Sequence, residues 1–255
     1  MAFSLGEVDK RVFSEVVHTI AEATGEIFHE VMEGLELDTK NCRHFLQWDL
    51  LHKELLKKFR DGRLVAVLRQ RGPWGFVLLY DPECNIIISL LKKKRLSSLQ
   101  AERRRRLVPH YMDALTLLNK DLPARQEKMA QAFVERSAQY DKDALVLLES
   151  LCAGFMMKKD AVSVPRHVLV CFDSQRGMLT SVNAYVLNAE LEIVQDKDLS
   201  EFISIDIGFE ESRLDVEKTT MPKLKLTGKA LGRAGKSTRR KLRPSQSDEI
   251  AGEGA

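Results

Sequence analysis

Residues 64–94 read LVAVLRQRGPWGFVLLYDPECNIIISLLKKK. Three short, almost wholly apolar runs, Leu64–Leu68, Phe76–Tyr80 and Ile86–Leu91, are punctuated by Arg71-Gly72-Pro73 and Asp81-Pro82. Runs this short, bounded by turn formers, are expected to be strands rather than helices. Linked this closely, they should form an antiparallel meander over 64–91. The runs are continuous rather than alternating, so both faces of that sheet are expected to be covered.

The upstream sequence supplies candidate covers. Val8, Val12, Phe13, Val16, Val17, Ile20, Ile27, Phe28, Val31 and Met32 recur at helical spacing within 1–36. One long amphipathic helix is expected there, with Ser4 and Glu7 as a capping box, Gly34 at its end and a weak point at Gly25. A second helix is expected over Asn41–Arg60, with Phe45, Trp48, Leu51, Leu55 and Phe59 as its apolar stripe and Asp61-Gly62 as its stop.

Downstream, helices are expected over 97–157. Ser97 and Gln100 have capping-box spacing, Pro109 interrupts, and Pro123 sits where a proline would open a further helix. A second meander is expected over 167–195, from His167–Phe172, Leu179–Leu187 and Leu191–Val194, with a tight hairpin at Leu187-Asn188. Val182, Ala184 and Val186 alternate with Asn183 and Tyr185, so one face here is expected to meet water. Asp198–Ile203 is a short helical candidate. The fold class is therefore α+β, with antiparallel β-meanders covered by long helices. The two meanders could be halves of one mixed fold. The expected organisation is an N-terminal helix (1–36), an α+β domain (37–221) and a basic disordered tail (222–255).

Composition narrows the class. The 255 residues carry 40 basic and 37 acidic side chains, a formal net charge of +3, and are 44% hydrophobic. This excludes a collagen-like, disulfide-stapled or mostly disordered chain. No apolar run approaches the roughly 18 residues of a spanning helix, so no membrane is expected as partner. Cys42, Cys84, Cys152 and Cys171 lack the close spacing of a zinc knuckle, and MAFSLGEVDKR lacks an apolar signal segment. A cytoplasmic location is expected.

The small net charge hides a partition. Residues 92–106 hold eight basic side chains and one acidic, and residues 222–243 hold nine basic and none acidic. The rest of the chain, at 23 basic and 36 acidic, stands at −13. Residues 190–217 carry ten acidic side chains against Lys197 and Arg213, directly before the basic tail.

The stretch RGPWGFVLLYDPECNIIISLLKKKRLSSLQ, followed by HYMDALTLLN, resembles part of an uncharacterised bacterial family often carried on mobile elements. Residues 167–203, leading into LSEFI, are similar to that family's later strands. The resemblance implies a cytoplasmic α+β protein. It transfers no function and no site residue.

Motifs with chemistry are few. ALGRAGKS at Ala230–Ser237 meets a relaxed phosphate-loop pattern, but no buried strand precedes it and no covering helix follows. It reads as coincidence in a Gly/Lys-rich tail. His29-Glu30-Val31-Met32-Glu33 misses HExxH at its last position, and Cys42, His44 and His52 lack a complete ligand set. No cofactor or metal site is expected. Asp81 and Glu83 end one strand and Lys92–Lys94 the next, a partial nuclease pattern without an acid-x-lysine element.

The clustered cations are the strongest signal, because phosphate backbones attract Lys and Arg through counterion release. The candidate nucleic-acid-binding residues are Lys92, Lys93, Lys94, Arg95, Arg103, Arg104, Arg106, Arg239, Arg240 and Lys241, with Trp74, His110 and Tyr111 available to stack on bases. Four consecutive arginines on a helix point to all sides, so at least one is expected to turn inward or meet an acidic partner.

The expected function is non-enzymatic: electrostatic contact with DNA or RNA, of low sequence specificity. One alternative is a protein-interaction module with a protein partner, an inhibitor or accessory subunit of a mobile element or phage-host conflict system. The other is a metal-dependent nuclease or other hydrolase. The sequence specifies no oligomeric state.

Overall fold

The computed structural model describes residues 3–39, 41–123, 138–155, 164–175 and 177–203, apart from the Arg104 side chain. They belong to one compact unit, Met1–Ile205. The expected tail (222–255) and the first part of the helix expected from Pro123 lie outside the described residues.

The first meander forms as expected: β1 (Val65–Arg71), β2 (Trp74–Asp81) and β3 (Ile86–Lys92). The second comprises β4 (Arg166–Gln175), β5 (Met178–Leu187) and β6 (Ile193–Asp198). They are not two sheets. All six strands form one sheet in sequence order, antiparallel except at β3/β4, which pair in parallel. A parallel pair cannot be closed by a tight turn, so the chain crosses over between Lys92 and Arg166. That crossover carries α4 (Lys93–Glu102), α5 (Tyr111–Leu115) and α6 (Ala138–Cys152) along one face of the sheet. The N-terminal helices α1 (Lys10–Thr24), α2 (Glu26–Gly34) and α3 (Arg43–Lys58) precede the sheet, and α1 and α3 pack on its other face.

The double cover explains the continuous apolar runs. Ile86 and Ile88 pack with Phe13, Leu51 and Val170 on one side. Ile87 packs with Leu115 and Leu151, and Leu91 with Leu96 and Leu99, on the other. A polar side chain at any of these positions would forfeit about 1.5–3 kcal/mol of burial. Tyr185, expected on a wet face, is buried under α4, while Asn183 is half-buried.

Three local expectations are corrected. The N-terminal helix is two helices, broken at Gly25, where a Cβ would stand 2.8 Å from Ala21 O and 3.3 Å from Gly177 O. The close approach of the β4–β5 turn to the helix break requires glycine there. Ser4 caps a 3-10 turn at Leu5–Glu7, and Asp9 caps α1, accepting from Arg11 N–H at 2.9 Å. Helix α4 starts at Lys93, not after Ser97, because β3 runs directly into it and this phase buries Leu96 and Leu99.

Segment 1–36, read from the sequence as a unit of its own, shares the core of the sheet. Val12, Val16 and Ile20 pack with Leu79, Val182 and Ala184. Its start is tied to β6, with Leu5 N–H donating to Gln195 Oε1 at 2.9 Å and Gln195 Nε2 donating to Phe3 O at 2.8 Å.

A basic and aromatic cleft as the candidate functional site

The β2/β3 ladder ends at the pair Leu78–Ser89. Beyond it, Trp74–Val77 pair only with β1, and Leu90–Lys92 pair only with β4. The β1–β2 hairpin thus diverges from β3, leaving alternate backbone groups of each free edge aimed into the gap. Helix α3 borders the opening. The result is a cleft of about 1160 Å³.

Helix α3 has two working faces. Leu51, Leu55 and the following Phe59 are buried in the core, as expected of its apolar stripe. Phe45 and Trp48, assigned to the same stripe, instead line the cleft with Asp49, His52, Lys53, Leu56, Lys57 and Arg60. These recur at steps of three and four, which places them along one side of the helix. The opposite wall brings Arg71 from β1, Trp74 and Phe76 from β2, Lys92 from β3, Arg95 from α4, and His110-Tyr111.

Among the described residues, the cleft is lined by six cations, Lys53, Lys57, Arg60, Arg71, Lys92 and Arg95, against one carboxylate, Asp49. Two of the cations have ion-pair partners: the exposed Lys57 with the half-buried Glu54 at 3.6 Å, and Arg95 with the exposed Glu102 at 3.8 Å. Both contacts are long, and the solvated Arg95–Glu102 pair in particular is worth little and readily exchanged.

Aromatic faces accompany the charge. Phe45 and Trp74 stack at 5.5 Å with an 18° interplanar angle, yet are 51% and 59% exposed. Deeper, Phe76 and Tyr111 stack at 4.4 Å, and Trp48 meets Phe172 edge-on.

Four cleft groups are electrostatically perturbed. Lys92 Nζ donates to Ser174 Oγ at 2.6 Å and sits 4.2 Å from the Phe172 ring centroid. Burial lowers its pKa to about 8, partly opposed by Asp173. His110 caps α5, its Nδ1 accepting from Met112 N–H at 3.2 Å. Burial, followed by Arg71 and Arg95, pushes its pKa down to about 3. Burial also lowers His52 and raises Tyr111.

Of the ten cations singled out from the sequence, Lys92 and Arg95 reach the cleft. Lys93 and Lys94 are exposed on the first turn of α4, away from its lining. Arg103 is buried, donating to Glu190 at 3.1 Å and to Ala189 O. Arg106 donates to Leu99 O at 2.9 Å and to Asp113 at 2.8 Å. Asp113 also accepts from Tyr140 and from His110 N–H, so Arg106 is a structural node of the crossover. Arg104 lies in the 3-10 turn Arg103–Arg105. Arg239, Arg240 and Lys241 lie outside the described residues.

Trp74, His110 and Tyr111, read as base-stacking candidates, all line the cleft. Lys53, Lys57, Arg60 and Arg71 were missed. They form no run in the sequence; the signal that could have found them is the mixture of aromatic and basic residues repeating along α3.

The other constellations do not assemble. Asp81 pairs with Ile86, so it lies at the opposite end of β3 from Lys92, about 20 Å away at strand rise. Its carboxylate is buried and held by Arg63, which also binds Asp9 and Glu83. His29 packs over Gly177. Among the described residues, no group of three or more His, Cys, Asp or Glu could hold a metal ion. Ser89 Oγ and His167 Nε2 lie 2.8 Å apart, but both residues are buried in the sheet and away from the cleft lining.

The chain belongs to the family of unknown function DUF5986. The family model matches residues 5–243, which include every residue lining the cleft. No curated protein and no solved structure shows significant similarity to it. Membership of DUF5986 carries no indication of a mobile-element association. Among the described residues, no helix is long and apolar enough to cross a membrane.

Proposed function

We propose that this DUF5986 chain binds single-stranded nucleic acid in the cleft between α3 and the splayed β1–β2 hairpin. The observation that carries this reading is the co-location of six cations, a single carboxylate and an exposed aromatic stack in one concavity. Cations alone would attract any polyanion. The added aromatic faces favour one whose bases are unstacked and free to lie on them. A duplex keeps its bases inside, and reading it calls for a protruding helix or ribbon rather than a concavity. The volume, about 1160 Å³, exceeds the roughly 300–1,000 Å³ of an ordinary small-molecule site. Binding of this kind is strongly salt-dependent and weakly sequence-selective.

The chain has two tryptophans, Trp48 and Trp74, and both line the cleft. Intrinsic fluorescence is therefore a reporter of occupancy. Titration with an oligo-dT of eight nucleotides at low salt should quench it saturably. The log of the affinity should fall with log salt by about 0.7 per phosphate neutralised. Trp74→Ala should weaken binding by about 1–3 kcal/mol, the worth of one stacked base. Unchanged fluorescence at low salt would overturn the proposal.

A further inference from the structure

One end of the cleft carries more than diffuse charge. Arg71 closes β1, Arg95 lies in the first turn of α4, and His110 precedes α5, so three separate elements converge there. The His110 ring is oriented by its surroundings. Its Nδ1 accepts from Met112 N–H at 3.2 Å, while its own backbone N–H donates to Asp113 Oδ2 at 2.8 Å. With Nδ1 occupied as an acceptor, the hydrogen of the neutral ring belongs on Nε2. Burial, reinforced by the two guanidinium groups, keeps the ring neutral at physiological pH. Nε2–H is thus a donor that requires no protonation.

The guanidinium groups complement it. Arg71 is anchored by donating to Pro109 O at 2.7 Å, which leaves further N–H groups of its fork for a ligand. Arg95 is half-exposed, and its 3.8 Å contact with Glu102 is loose enough to be given up. The nearest buried carboxylate, Asp113, is already engaged by Arg106 and Tyr140. The Phe76–Tyr111 stack stands alongside, with the His110 and Tyr111 rings 4.3 Å apart.

We propose that Arg71, Arg95 and the Nε2–H of His110 form a phosphate-binding subsite at this end of the cleft, beside the Phe76–Tyr111 stack. The inference rests on the single-strand reading for its biological ligand, a nucleotide phosphate. Two guanidinium forks and one imidazole N–H match the several oxygens of a phosphate and contribute charge-assisted hydrogen bonds. The phosphate could be a terminal monoester or an internal diester of the same strand.

The test uses the full chain with three probes: orthophosphate, the eight-nucleotide oligo-dT, and that oligonucleotide carrying a 5′-phosphate. Orthophosphate should move the His110 Nε2 resonance saturably in nitrogen-detected NMR, with the ring still neutral, and should compete with the oligonucleotide in tryptophan quenching. Arg95→Gln, at a half-exposed site, should weaken oligonucleotide binding about tenfold. His110→Asn should do the same while retaining a side chain able to cap α5. His110→Asp also keeps the cap but sets a carboxylate between the guanidinium groups, and should abolish competition by orthophosphate in tryptophan quenching. Tighter binding of the 5′-phosphorylated strand assigns the subsite to a terminal monoester; equal binding assigns it to an internal diester. If orthophosphate leaves His110 unmoved and these variants quench like the wild type, the subsite is refuted and the cleft reading stands. If His110 responds to orthophosphate but no oligonucleotide quenches, the single-strand reading is refuted and the subsite stands.

Discussion

Lys92 shows how one side chain can carry two opposite pH dependences. Its ammonium is held against Phe172 and Ser174, and burial brings its pKa down to about 8. Above that value the cleft loses one of its six cations. Affinity for a polyanion should therefore fall as pH rises from 7 to 9.5. His52 and His110, both held below the ordinary histidine value, stay neutral across that range. Arginine remains charged throughout, so Lys92→Arg should flatten the fall; an equally steep profile in the variant would assign it elsewhere. Stability should move the other way. The unfolded chain keeps the Lys92 proton up to about 10.5, so it binds more protons than the native state between pH 8 and 10.5. Lys92 thus makes the fold gain stability over that window as pH rises, measurable as a melting-temperature difference between wild type and Lys92→Arg.

At the scale of elements, α3 forms one cleft wall and the α1–α2 break belongs to the core side of the sheet. The apolar periodicity of α3 was legible, and Leu51, Leu55 and Phe59 are core as that periodicity demands. Periodicity does not say which edge of a stripe meets sheet and which meets a gap. Phe45 and Trp48 satisfy the same spacing yet face the cleft, because the sheet beneath them has split. The break at Gly25 is equally a matter of neighbours: its hydrogen is directed at Ala21 O and at the backbone of the β4–β5 turn. Gly25→Ala should cost about 1–3 kcal/mol, the range for a methyl forced into packed structure, because backbone oxygens cannot rotate away. Chemical denaturation measures it. A stabilised variant would mean that α1 and α2 merge into one helix without loss.

At the scale of the molecule, charge is sorted twice. Apart from residues 92–106 and 222–243, the chain carries 13 surplus negative charges, yet the cleft between α3 and the β1–β2 hairpin is basic. On the proposed reading, this sorting would steer an anionic strand toward the cleft rather than toward the acidic remainder of the chain. The tail at 222–243 adds nine cations. A chain ending at residue 221 should still quench with oligo-dT, with lower affinity and a shallower salt slope than the full chain. Equal slopes would show that the tail is not a binding arm.

The sequence by itself determined the α+β class, the helical covers and five of the six strands; the last, expected as Leu191–Val194 after a tight hairpin, forms at Ile193–Asp198 after a longer connection over 188–192. Those follow from short-range periodicity and turn chemistry, which act within a few residues. It also marked Lys92, Arg95, Trp74, His110 and Tyr111 as available for a polyanion. Tertiary structure decided the joining of two meanders through the parallel β3/β4 pair and the divergence of β2 from β3. It also separated cations that look alike in the sequence: Arg103 and Arg106 satisfy internal acceptors, whereas Arg71 and Arg95 face the cleft. The physical reason is that a cation's role depends on which carboxylates and carbonyls the fold brings within hydrogen-bond reach. Those partners come from distant parts of the chain, as Glu190 does for Arg103.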